Sequence, residues 1–168
     1  MNYIKIEKYS TSNGIGLRNI LWVSGCDNKC VGCHNPESWN KDNGNIFDNS
    51  TYQFLVKEFY DPTMNSMLHG ISLLGGEPLM ECNIQTVTNV AKTFKTAFPN
   101  KTIWCWTGYL FDNIKNYEIM KYIDVLIDGR FEIDKCDLRL KYAGSTNQRV
   151  IDVQKSLAEN KIILLDFI

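Results

Sequence analysis

Three cysteines, Cys26, Cys30 and Cys33, stand within one short stretch, CDNKCVGCH, and His34 follows the last of them. Thiolates at this spacing hold soft metals, and three kinds of site meet the pattern: a zinc ion, a covalently attached haem, or an iron-sulfur cluster. Zinc in a structural site takes four ligands. His34 adjoins Cys33, neighbouring side chains rarely turn toward one ion, and no second CxxC or HxxxH supplies the missing ligand. Cys30 to His34 satisfies the C-x-x-C-H pattern of haem attachment, but Cys26 is then surplus and the start, MNYIKIEKYSTSNG, has no apolar export segment. An iron-sulfur cluster takes thiolates, commonly four. Three of them on a four-iron cluster leave one iron open to a ligand, much as a catalytic zinc keeps an open position.

A second stretch with chemical character is Gly75-Gly76-Glu77-Pro78. Paired glycines let backbone approach a ligand closely, and a carboxylate beside them can pair with an ammonium group. Read alone, the same four residues form an ordinary turn that opens a helix.

Composition limits the partners. The 168 residues carry 18 Lys and Arg against 19 Asp and Glu, a net charge of -1, so no basic field points to nucleic acid or to an anionic membrane surface. Without an h-region or an 18-residue apolar run, the expectation is a cytoplasmic protein with no membrane span. In a reducing compartment six cysteines serve metals or catalysis rather than disulfides, and the scattered Cys82, Cys105 and Cys136 are expected to be small buried hydrophobes.

The elements that must position these groups alternate. Strand-like runs at Ile20–Val23, Ile71–Leu74, Thr102–Trp106 and Asp124–Ile127 are separated by helical patterns at residues 51–60, 83–98 and about 111–122, the first ended by Asp61-Pro62. Strand, helix and strand in this order predict right-handed crossovers and a mostly parallel sheet, hence an α/β fold in one domain spanning residues 1–168. A closed eight-stranded barrel takes about 250 residues, so the chain can build part of one or an open sheet. Each strand hands its unusual residues to its carboxyl end, where ligands sit in parallel α/β sheets: the cysteine loop, GGEP, Thr107-Gly108 and Asp128-Gly129-Arg130.

In this order the motifs resemble those of the radical S-adenosylmethionine enzymes: a C-x3-C-x2-C loop after the first strand, then a GGE(P) turn after the second. The chain is also similar to the activating enzymes of anaerobic, class III ribonucleoside-triphosphate reductases, through Asn13–Arg18 (similar to DGPGxR), residues 26–35, GGEP, residues 104–109, 123–131 and 144–149. The likeness covers about residues 1–150. It departs at Ile15, where a proline is expected, at Gly32, where many radical enzymes carry an aromatic residue, and at His34, where a tyrosine is common.

The resemblance implies an incomplete β/α barrel and a [4Fe-4S] cluster on the catalytic Cys26, Cys30 and Cys33. S-adenosylmethionine would bind at the open iron. One electron from a donor such as flavodoxin or ferredoxin would split it to methionine and a 5'-deoxyadenosyl radical, which takes a hydrogen atom from a backbone glycine of the large reductase subunit. Gly75, Gly76 and Glu77 would hold the amino group, Thr107 and Asp128 the ribose or methionine part, and His34 part of the adenine. Asn147 and Arg149 would face the ligand or the partner, while His69, Trp104 and Trp106 are read as structural. Two other readings remain: an activase of pyruvate formate-lyase type, and a zinc-stabilised binding module without catalysis.

Overall fold

Alternation of buried side chains organises the sheet of this computed structural model, which describes residues 1–165; the last three residues of the expected domain lie outside the described residues. Strands β1 (Asn2–Ser10), β2 (Leu17–Val23), β3 (Asn45–Ile46), β4 (Leu68–Gly75), β5 (Thr102–Trp106), β6 (Val125–Asp128) and β7 (Arg149–Asp152) form one mixed sheet in the order β3-β1-β2-β4-β5-β6-β7. The four central strands β2, β4, β5 and β6 run parallel. Antiparallel strands flank them, β1 and β3 on one side and β7 on the other. The fold is therefore α/β with a parallel centre, as the alternating pattern predicts.

Successive residues of a strand face opposite sides. Leu21, Leu73, Ile103, Cys105 and Leu126 point to the main core, where they meet Leu55 and Val56 of α1 (Asn49–Val56) and Val87, Val90, Ala91 and Phe94 of α3 (Glu81–Ala97). Trp104, Val125 and Ile127 point the other way, against Trp106, Tyr142, Ala143 and Val150. Helices thus cover one face, and the irregular stretch 131–148 lies on the other.

Several expectations change. The helix expected over residues 51–60 is α1 continued by a 3-10 turn at Lys57–Tyr60. Pro62, expected to stop a helix, opens α2 (Pro62–Met67), because a proline at the first helical position loses no hydrogen bond and Asp61 caps the Met64 amide at 2.9 Å. The helix expected over 111–122 shrinks to α4 (Phe111–Ile114) and a 3-10 turn at Glu118–Lys121. Cys105 is buried, and burial pushes its thiol well up, so it stays protonated. Cys82 and Cys136 are exposed rather than buried. Cys82 lies outward in the first turn of α3 because Asn83 takes the inward position.

One buried cation fastens the parallel strands. Arg18 is fully buried, and all five of its N–H groups are used. It donates to Ser72 Oγ (2.8 Å), the carbonyls of Ile15 (3.1 Å), Ile71 (2.7 Å) and Thr102 (2.7 Å), and Thr102 Oγ1 (2.9 Å). Burial pulls its guanidinium down to about 9, with Asp124 opposing the fall. Ser72 in turn donates to the Asn13 carbonyl at 2.7 Å, which fixes the loop before β2. Gly14 and Gly16, at φ +110° and +78°, belong to this arrangement, since a Cβ on Gly16 would lie 2.2 Å from the His69 ring. His69 Nδ1 accepts from the Leu17 amide at 3.1 Å. Arg18→Met keeps most of the stem but strips donors from buried carbonyls, so urea unfolding of the metal-free chain is expected to show a loss of about 3 kcal/mol or more. A loss below about 1 kcal/mol would contradict this role.

Candidate active site

The carboxyl ends of β2, β4, β5 and β6 open on a cavity of about 420 Å³. Cys26, Cys30, Cys33 and His34 line it from the loop after β2, Gly75, Gly76 and Glu77 from the turn after β4, Thr107 and Gly108 from the end of β5, and Gly129 and Arg130 from the end of β6. Four loops distant in sequence therefore meet at one edge, as the strand-end argument requires.

The GGEP turn is locked to the cysteine loop by main chain. Gly76 N donates to Val23 O at 2.8 Å, and Glu77 N to Gly25 O at 2.7 Å. A Cβ on Gly75 would come within 2.8 Å of the Val23 backbone, and one on Gly76 within 2.5 Å of Gly25 O. The paired glycines are thus required first by this close approach of two protein loops. Asn83, in the first turn of α3, donates to Ser24 O (2.8 Å) and Glu77 O (2.9 Å) and closes the same junction.

Glu77 is 2% exposed. Its Oε1 accepts from the Leu79 amide (3.0 Å) and Thr107 Oγ1 (2.7 Å), and its Oε2 from the Gly108 amide (2.7 Å) and Asn28 Nδ2 (3.1 Å). Burial pushes its carboxyl above the ordinary 4.5, and these four donors only partly reverse the shift. On the cysteine loop, burial likewise pushes the half-buried Cys26 thiol up. The Asn35 amide donates to Cys33 Sγ at 3.4 Å. Gly32 adopts φ +75°, and a Cβ there would meet Ile133 Cδ1 at 2.8 Å. His34 is exposed, with its ring 5.6 Å from that of Phe131.

Three candidate ligand contacts, Asp128, Asn147 and Arg149, lie outside the cavity lining. Asp128 does not line the cavity: it is fully buried, accepts from the Phe111 amide at 2.7 Å, and pairs through both oxygens with Arg149. Arg149 also reaches Asp112 at 3.4 Å, so its charge is spent inside this tie. Asn147 donates to Arg130 O at 2.8 Å and likewise stays outside the lining. Trp106, expected to be packing only, does line the cavity, and its Nε1 donates to Tyr142 O at 2.8 Å.

The family model of the 4Fe-4S single cluster domain matches residues 12–151. An anaerobic ribonucleoside-triphosphate reductase-activating protein of Enterobacteria phage T4 is 42% identical over 150 residues, 89% of this chain and 93% of its own. The chain belongs to the family of anaerobic ribonucleoside-triphosphate reductase-activating proteins. Proteins of the same name from Haemophilus influenzae and Escherichia coli K12 are 37% and 35% identical, each over nearly nine-tenths of this chain and more than nine-tenths of their own.

For a member of this family with a 4Fe-4S cluster domain, the donor set fits the cluster. Among the described residues no three Cys, His, Asp or Glu side chains form a group that could hold a single metal ion. A four-iron cluster is a larger body whose thiolates each reach a separate iron, and three half-buried thiols around one cavity suit it. Cys26, Cys30 and Cys33 are the residues that could hold it.

Sequence reasoning places Gly108 and Arg130 at the ligand edge without giving either a role, and it singles out neither Asn28 nor Gln148. Gln148 accepts from the Gly144 and Ser145 amides (2.8 and 3.2 Å) and donates to Gly129 O (2.9 Å), which holds stretch 131–148 over the cavity. Nothing local in the sequence separates Asn28 and Gln148 from other polar loop positions. Glu77 generates a pH prediction. Because its folded carboxyl lies above the unfolded value, the folded chain holds that proton more tightly, so stability from this group declines as pH rises from 4.5 through the raised value. In urea midpoints of metal-free protein over roughly pH 4 to 8, Glu77→Gln is expected to flatten that decline. Parallel wild-type and variant profiles would refute the assignment.

Proposed function

We propose that this protein is a glycyl-radical activating enzyme, a radical S-adenosylmethionine oxidoreductase acting on the large subunit of an anaerobic ribonucleoside-triphosphate reductase. The observation that carries the reading is the meeting of three cysteines and one buried, ionisable Glu77 around a single cavity. When bound, the reduced [4Fe-4S] cluster supplies one electron that cleaves S-adenosylmethionine to methionine and a 5'-deoxyadenosyl radical, the species that removes hydrogen from the partner's backbone glycine.

The chain's own residues bind and orient. Cys26, Cys30 and Cys33 would hold the cluster as thiolates. Glu77 faces the amino group of S-adenosylmethionine, and its burial strengthens that pairing by removing competing water. Gly75 and Gly76 keep the turn close enough for Glu77 to reach the loop. Thr107 acts by aligning the carboxylate, to which its hydroxyl donates at 2.7 Å. His34 lies beside Phe131 at the cavity wall, where a flat adenine could stack. Asp128 contributes at a distance: its pairing with Arg149 sets the end of β6, from which Gly129 and Arg130 enter the cavity.

In this reading the sheet is the central part of an incomplete β/α barrel, the chain works as one domain, and a flavodoxin or ferredoxin delivers the electron in the cytoplasm. Among the described residues no helix is long and apolar enough to cross a membrane. The test is anaerobic reconstitution with iron and sulfide, then reduction and addition of S-adenosylmethionine and a class III reductase. The expected products are 5'-deoxyadenosine and a glycyl radical on the reductase. Cys26→Ala should lower both by more than about 100-fold, beyond what losing an outer-shell partner does. A colourless, zinc-loaded protein indifferent to S-adenosylmethionine would refute the proposal.

A further inference from the structure

We propose that Asn28 is a positioning residue that couples the cysteine loop to Glu77, so that the cluster ligands and the ligand-binding carboxylate keep one fixed geometry. The inference rests on the reading of Glu77 as the residue facing the ligand's amino group, and it goes beyond it by assigning a task to a residue between two cysteines that is not itself a metal ligand.

Separate observations converge on Asn28. Its Nδ2 donates to Glu77 Oε2 at 3.1 Å. A carboxylate only accepts, so the amide nitrogen must be the atom that faces it. Its carbonyl accepts from Arg130 at the end of β6, a residue 102 positions away in sequence. Gly108 leaves the space it occupies, because a Cβ there would stand 2.3 Å from Nδ2 and 2.8 Å from Cγ. The next residue, Lys29, has φ +45°, a conformation that a non-glycine residue keeps only where its surroundings fix it. Asn28 is therefore gripped from three strand ends: by the turn after β4, by the glycine after β5 and by the arginine after β6.

Glu77 shows why the link matters. Its donors from Leu79, Thr107 and Gly108 belong to the turn after β4 and the end of β5, whereas Asn28 alone belongs to the loop that carries the thiols. Of these donors, Asn28 is the one that decides where Oε2 stands relative to Cys26 and Cys30. Without it, the Glu77 side chain keeps three bonds, none of them to the thiol loop, and only main-chain bonds such as Glu77 N to Gly25 O still tie the turn to that loop.

The test uses reconstituted holoprotein carrying Asn28→Ala and, separately, Gly108→Ala, whose methyl group displaces the Asn28 side-chain amide while every residue of the cysteine loop keeps its identity. Iron per chain is expected to match wild type in both variants. The dissociation constant for S-adenosylmethionine, by anaerobic equilibrium dialysis, should rise about tenfold, the loss of one hydrogen bond to a charged group. The change that S-adenosylmethionine produces in the electron paramagnetic resonance spectrum of the reduced cluster should broaden. Wild-type affinity and an unchanged spectrum in both variants would overturn the proposal. Loss of iron from Asn28→Ala would also overturn it, since Asn28 would then support the cluster itself. If wild-type holoprotein neither binds S-adenosylmethionine nor changes its spectrum, the reading of Glu77 fails instead.

Discussion

A carboxylate taken out of water must be given donors, and the site depends on how Glu77 receives them. Burial raises its carboxyl, and four hydrogen bonds hold it in place. They come from the cysteine loop, the turn after β4 and the end of β5, so the carboxylate is satisfied only when all three loops are in position. A buried polar group left half-satisfied is costly. The same penalty makes the arrangement specific, because it disfavours any packing of the loops that strands one of these donors.

The parallel centre of the sheet makes that meeting possible. Parallel strands send their loops to one edge, and the register of β2 on β4 sets Val23 against Gly75. The cysteine loop thus begins where the GGEP turn begins. Arg18 secures the opposite end of the same strands by joining β4 and β5 to the loop before β2, and through Ser72 it holds Asn13 at the cavity wall. Glycines serve the junction by allowing backbones to touch: at Gly75 and Gly76 between the two loops, and at Gly108 against Asn28.

Much of this was legible in the residues. The three cysteines, GGEP and the four central strands were readable because buried parallel strands are continuous apolar runs and chemical motifs follow them. Strand β1 was not among the strands read, although Ile4-Lys5-Ile6-Glu7 alternates, and it lies at the flank of the sheet and is mostly half-buried. Asp128 illustrates what local reading lacks. An acidic residue at a strand end is equally suited to a ligand or to a structural tie, and the deciding partner, Arg149, lies 21 residues away. Asn28 is the reverse case, an unremarked loop residue whose importance appears only once Gly108 and Arg130 are brought beside it.

In the proposed function the amino group of S-adenosylmethionine would meet an iron that Cys26, Cys30 and Cys33 do not ligate, with Glu77 beside it. Electron-nuclear double resonance of the reduced holoprotein with S-adenosylmethionine labelled with nitrogen-15 in its amino group tests this directly. The account predicts a hyperfine coupling between that nitrogen and the cluster, lost in Glu77→Ala at ligand concentrations that saturate wild type. Saturated wild-type protein with no coupling from the labelled nitrogen would contradict it.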